Sequence, residues 1–276
     1  VSERWADLLG VLEQDLAVAT DAADRLALVV RIAELRRLRT GELARAVDGY
    51  KDALELDPSQ PVARAALEAL LSEREPGVGL AAARALDPVL QAEQSWEKLV
   101  GVLERIAADT DDPEERRRSL ARAADVCEIG MNDPGRAFGY ASRELRESLA
   151  EPDVARRIDQ VEALAAASGR HADLAAALKD AAPELLDPEL QIAVLMKVAE
   201  LSRRHLGDRA GARAYYEKAL DQRPDHEPAL DALETLHEEG REHAELLAVL
   251  RRKTDLAATD EARRALLRKQ AGVSER

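Results

Sequence analysis

The residues able to do chemistry are few and poorly grouped. His226, His237 and His243 are separated by ten and then five residues, a spacing that matches no tight metal-binding motif. HEEGR (237–241) offers the histidine and glutamate of a zinc-protease helix, but Arg241 stands where the second histidine is needed. Cys127 is the lone cysteine, so no intramolecular disulfide can form. It falls within the apolar run ADVCEIG, where a small core residue is expected. GVG at 77–79 is too short to cradle a phosphate and follows no strand-like segment. No Ser/His/Asp set and no carboxylate pair stands apart from the surface charges. The expectation is therefore no catalytic residue, no cofactor and no metal: the chain is not read as an enzyme.

The elements that would carry any site are helices. Ala, Leu, Glu and Arg dominate, all strong helix formers, and β-branched residues come singly rather than in alternating runs. A net charge of −14 argues against a phosphate-binding surface, so no nucleic acid is expected as partner. No run of 18 apolar residues exists, so no membrane insertion is expected. The chain begins at Val1 with no signal-peptide pattern, and a cytoplasmic location is the expectation, with the periplasm left open.

A block is written four times. WADLLGVL (5–12) returns as WEKLVGVL (96–103), HADLAAAL (171–178) and HAELLAVL (243–250). The columns Trp5/Trp96/His171/His243, Leu8/Leu99/Leu174/Leu246 and Leu12/Leu103/Leu178/Leu250 all step by 91, 75 and 72 residues. So do Val29/Leu120/Leu195/Leu267 and Ala33/Ala124/Ala199/Ala271. Such register is the mark of internal duplication. Trp, Leu and Leu at i, i+3 and i+7 make one helical stripe. The alanine marks a place where a neighbouring backbone must come close. Packing, not catalysis, is the role this column gives His171 and His243. Gly41, Asn132 and Gly207 share a column between the second and third helices, where a left-handed turn is expected. Each full block holds four helices, as two hairpins of about 36 residues.

Within the third helix, Ala46, Tyr50, Ala53 and Pro58 are repeated as Ala212, Tyr216, Ala219 and Pro224. This spacing resembles the second half of a tetratricopeptide repeat, the 34-residue helix-turn-helix unit. The first half matches poorly. In the second block Ala141, Glu144 and Leu149 replace the tyrosine, alanine and proline. The resemblance implies an all-α, right-handed α-solenoid of antiparallel hairpins with about 12–13 helices. A single array is expected over 1–276, in blocks of about 5–95, 96–170, 171–242 and an incomplete 243–276, the whole being a fragment of a longer protein. The apolar face of the last block should be exposed, which opens the way to end-to-end self-association. Tyr50 to Trp96 spans 46 residues, against 27 from Tyr216 to His243, so the first block carries 19 extra residues around 77–94. Asp87-Pro88 inside that insert leaves two readings open: one kinked helix, or two short ones with Asp87 as N-cap.

Arg31/Glu34, Arg122/Asp125 and Lys197/Glu200 also recur at the block spacing. Each pair reads either as an i,i+3 ion pair on a solvated face or as part of an acidic row. In the second reading Glu34, Asp125 and Glu200 bind a basic or amphipathic partner segment. The resemblance favours an inward-facing row, because the first helix of such hairpins lines the groove. Asn132 is the only asparagine, so the asparagine-rich carboxylate clamp of some family members is absent. The function expected is a non-catalytic scaffold for a partner peptide or domain. A structural spacer and a sensor module of a larger regulatory protein are the alternatives.

Overall fold

The repeated columns become buried seams between helices. The computed structural model describes residues 2–73 and 75–274, with side chains from Arg4 onward. Among them there is no strand, and no helix is long and apolar enough to cross a membrane. The chain divides into two units, Val1–Glu147 and Ser148–Arg276, with the division inside the second sequence block.

The first unit holds α1 (Ser2–Val18), α2 (Ala22–Leu35), α3 (Leu43–Leu56), α4 (Pro61–Leu70), α5 (Val78–Ala92), α6 (Trp96–Asp109), α7 (Pro113–Asp125) and α8 (Pro134–Arg146). The second holds α9 (Val154–Ser168), α10 (His171–Ala181), α11 (Pro188–Arg204), α12 (Arg209–Gln222), α13 (Glu227–Gly240), α14 (His243–Leu256) and α15 (Asp260–Ser274). That makes 15 α-helices among the described residues, where 12–13 were expected. The insert forms a whole helix, α5. The second block also keeps its fourth helix, α9, although its proline signal is gone. Within each unit, successive helices pack as antiparallel hairpins of an all-α solenoid, each helix mainly on its neighbours in the chain.

Helix starts follow local chemistry. Asp112, Asp133 and Asp187 each precede a proline and accept a hydrogen bond from a first-turn backbone N–H, capping α7, α8 and α11. The ends of α2, α7 and α11 share one turn. Gly41, Asn132 and Gly207 take φ of 73°, 52° and 65°, and the next N–H donates six residues back: Glu42 to Arg36, Asp133 to Cys127, Asp208 to Ser202. The closure is one residue wider than the six-to-one bond of a Schellman turn, which the chain makes at Arg170 to Ala165 and Glu242 to His237. After α2 and α7 it runs on through a π-helical turn, Arg36–Thr40 and Val126–Gly130.

The seams are apolar. Leu12, Leu103, Leu178 and Leu250 are all buried, as are Leu99, Leu174 and Leu246; Leu8 is half-buried. Ala46, Tyr50 and Ala53 on α3, and Ala212, Tyr216 and Ala219 on α12, are sealed in, so the repeated spacing marks buried positions in both hairpins. Ala33 is fully buried, and a Cβ on Gly49 of α3 would sit only 3.0 Å from its own Cβ, which is why the column stays small. The last block departs from the pattern. α15 has no buried residue, Leu267 is 50% exposed and Ala271 is exposed, because no described residue covers the outer side of α15.

The insert resolves into one continuous helix. α5 starts after Gly77 (φ 80°) and runs through Pro88, packing on α3, α4 and α6. Asp87 does not cap a second helix. Its carboxylate accepts two hydrogen bonds from the Arg122 guanidinium of α7, at 2.6 and 2.7 Å.

Candidate interaction surface

In two of the repeated charge pairs the basic member turns to an earlier helix, not to the acid three residues on. Arg122 of α7 grips Asp87 of α5. Lys197 of α11 meets Asp159 and Glu162 of α9. Lys269, the next residue in that column, reaches Glu234 and Glu238 of α13. Other pairs join alternate helices in the same manner: Lys98 with Glu68, Arg136 with Glu97, Arg143 with Glu104, and Arg203 with Glu239.

The three candidate acids therefore stand in different settings. Glu200 is half-buried. It accepts from the Tyr216 hydroxyl at 2.9 Å and from Arg203 at 3.2 Å, and it pairs with Arg204. Burial alone would raise its carboxyl pKa, but the hydrogen bonds from Arg203 and Tyr216 hold it below the usual range. Burial, together with the Glu200 carboxylate as acceptor, pushes the Tyr216 hydroxyl up to about 12. Glu34 is half-buried and makes no hydrogen bond or ion pair among the described residues. Asp125 is exposed at the end of α7. Glu34 and Asp125 share a unit; Glu200 lies in the other.

Four residues after each acid the blocks diverge. Leu38 follows Glu34 and Ile129 follows Asp125, and they are 59% and 81% exposed. In the second unit that position is Arg204, which closes onto Glu200. The first unit thus shows twice, on the π-helical ends of α2 and α7, an acid and a large apolar side chain one turn apart. Sequence reasoning picked out the acids and missed the apolar partners, although Leu38 and Ile129 differ by the same step of 91.

The Trp/His column meets a partner 34 residues on in three blocks. Arg39 lies over the Trp5 ring at 5.2 Å, and His171 stacks on His205 with centroids 3.7 Å apart. Trp96 packs on Gly130, where a Cβ would come within 3.0–3.2 Å of the indole. Beside it lies a notch of about 300 Å³ lined by Gln91, Trp96, Arg122, Asp125, Val126 and Ile129.

The remaining candidates for chemistry are held in structural roles. His226 caps α13, and His237 is buried with its Nδ1 2.6 Å from Glu242. Cys127 is buried, and burial pushes its thiol up. Gly79 sits under Leu71 and Arg105 within α5. Among the described residues no group of three His, Cys, Asp or Glu could hold a metal. His243 does line a cleft of about 590 Å³ with His237, Glu238, Arg241 and Val273, at the outer end of the second unit.

No family model matches the chain, and no curated protein matches it. Solved structures do. One is YrrB, described as a TPR protein with an unusual peptide-binding site, at 18% identity over 84% of this chain and 98% of that one, with a TM-score of 0.30. A tetratricopeptide repeat protein from Parabacteroides merdae matches at 13% identity over 98% and 96%, TM-score 0.31. Yeast Tom70 matches at 16% identity over 99% of this chain and 59% of its own, TM-score 0.36. At scores this low the superpositions are loose and carry no argument about function.

Proposed function

We propose that the chain is a non-catalytic protein-interaction scaffold that takes a partner peptide or domain on the surface of its hairpins. The observation that carries this reading is the repeated outward display, on the ends of α2 and α7, of Glu34 with Leu38 and Asp125 with Ile129. At both positions an acid and a large exposed apolar side chain stand one turn apart. An acid beside an apolar side chain suits a segment with the complementary basic and apolar pattern. Glu200 belongs to the same row by sequence. Its engagement with Tyr216, Arg203 and Arg204 supports a smaller share of binding and a larger one of stability.

Panning a library of random dodecapeptides on the chain tests the proposal. The expected result is an enriched consensus that is lost in the Glu34→Lys, Asp125→Lys double variant and weakened less by Glu200→Gln. A consensus indifferent to the double variant removes the acidic row and leaves the scaffold. No enrichment at all sinks the scaffold and favours a structural spacer, a role that the ladders of ion pairs between alternate helices would also serve.

A further inference from the structure

We infer that the notch beside Trp96 in the first unit holds an arginine side chain of an apolar, basic segment in a protein partner. This deepens the scaffold reading and rests on it. In the first block the ring of the Trp/His column is covered by the Arg39 guanidinium, and in the third by the His205 imidazole. The chain itself thus uses nitrogen-bearing planar groups against this column twice. The second block has Gly130 at that place and supplies no side chain. There the indole is half-buried and the notch of about 300 Å³ lies open next to it.

The surroundings fit a guanidinium flanked by an apolar residue. Val126 forms part of the wall and is buried, while Ile129 stands at the rim, 81% exposed. The cation within the lining, Arg122, is held by both oxygens of Asp87 and also reaches Gln91 at 3.3 Å. Its charge is therefore balanced, and the other ionisable side chain in the lining, Asp125, is an exposed carboxylate. An arginine can lie flat on an indole and still direct its N–H groups to a carboxylate, which a compact ammonium does less well. The π-helical turn Val126–Gly130 carries Ile129 outward at this rim.

The test uses the full chain with Trp5→Phe, which leaves Trp96 as the sole indole. The probe is a short capped peptide alternating leucine and arginine, with a leucine–glutamate peptide as the counterpart. The arginine peptide should shift and quench Trp96 emission saturably, and the glutamate peptide should not. Ile129→Lys should weaken binding by roughly tenfold or more, because it removes an apolar contact beside the cation–π pair and adds a repelling charge. Gly130→Arg, which supplies the internal lid that Arg39 provides in the first block, should do the same. Ile129 is exposed enough that its replacement leaves folding intact, so the inference stays testable even where the Gly130 variant misfolds. Saturable binding that neither variant weakens overturns the notch. A silent Trp96 with both peptides also overturns it, while a library consensus with the intact chain would keep the scaffold reading alive.

Discussion

Tyr50 and Tyr216 occupy the same place in two hairpins and differ by one hydrogen bond. Tyr216 donates to Glu200, whereas the buried Tyr50 hydroxyl has no acceptor, although Glu34 and Arg37 stand where Glu200 and Arg203 do. A buried hydroxyl whose proton has no acceptor costs free energy that its removal recovers. Tyr216→Phe should therefore destabilise the chain by about 1–2 kcal/mol, while Tyr50→Phe should be neutral or stabilising, as read by urea unfolding. The Tyr216 penalty also depends on pH. Glu200 is held below its unfolded value of about 4.3, so its contribution is complete above that value. It is lost as pH falls through the depressed folded value, and the cost of Tyr216→Phe should fade there. Equal penalties at both tyrosines would contradict the account. The tyrosine column was legible in the sequence because both hairpins keep Ala-x3-Tyr-x2-Ala. The hydrogen bond was not, because it depends on a rotamer of Glu200 that no spacing encodes.

At the scale of the element, the Asp-Pro dipeptide teaches how far local signals reach. It opens a helix at Asp112, Asp133 and Asp187, yet at Asp87-Pro88 the helix continues through it. The difference is tertiary. Ala82, Ala83, Leu86, Val89 and Leu90 form one unbroken buried face on α5, and Arg122 takes the carboxylate that would otherwise cap a new helix. A proline in a helix interior still removes a backbone hydrogen bond and crowds the preceding turn. Pro88→Ala should accordingly raise the thermal midpoint, with a gain of about 1–3 kcal/mol. A lowered midpoint would mean that the proline shapes α5 rather than burdening it. The left-handed column at Gly41, Asn132 and Gly207 was readable from residue type alone. The choice between one helix and two at 77–94 was not, because it was settled by Asp87 finding a partner 35 residues away.

At the scale of the whole molecule, the repeated columns mark buried seams in the first three blocks but not on α15, and the register undercounted the helices. A duplication is visible wherever its Leu and Ala columns persist, and it fades where substitution has erased them, as with Ala141, Glu144 and Leu149 in the second block. Function was less legible. Net charge of −14 and the lack of any catalytic grouping pointed towards interaction, but the sequence ranked Glu34, Asp125 and Glu200 as equals. The structure separates them, because Arg204 closes over Glu200 while Leu38 and Ile129 leave the ends of α2 and α7 open.

The central claim, that a partner docks on those two open ends, is met most directly by hydrogen–deuterium exchange of the chain with and without a saturating library-selected peptide. Bound peptide should slow exchange at residues 34–42 and 125–133, the π-helical turns and the backbone that closes them. Slowing confined to other segments, with these two unchanged, would contradict it.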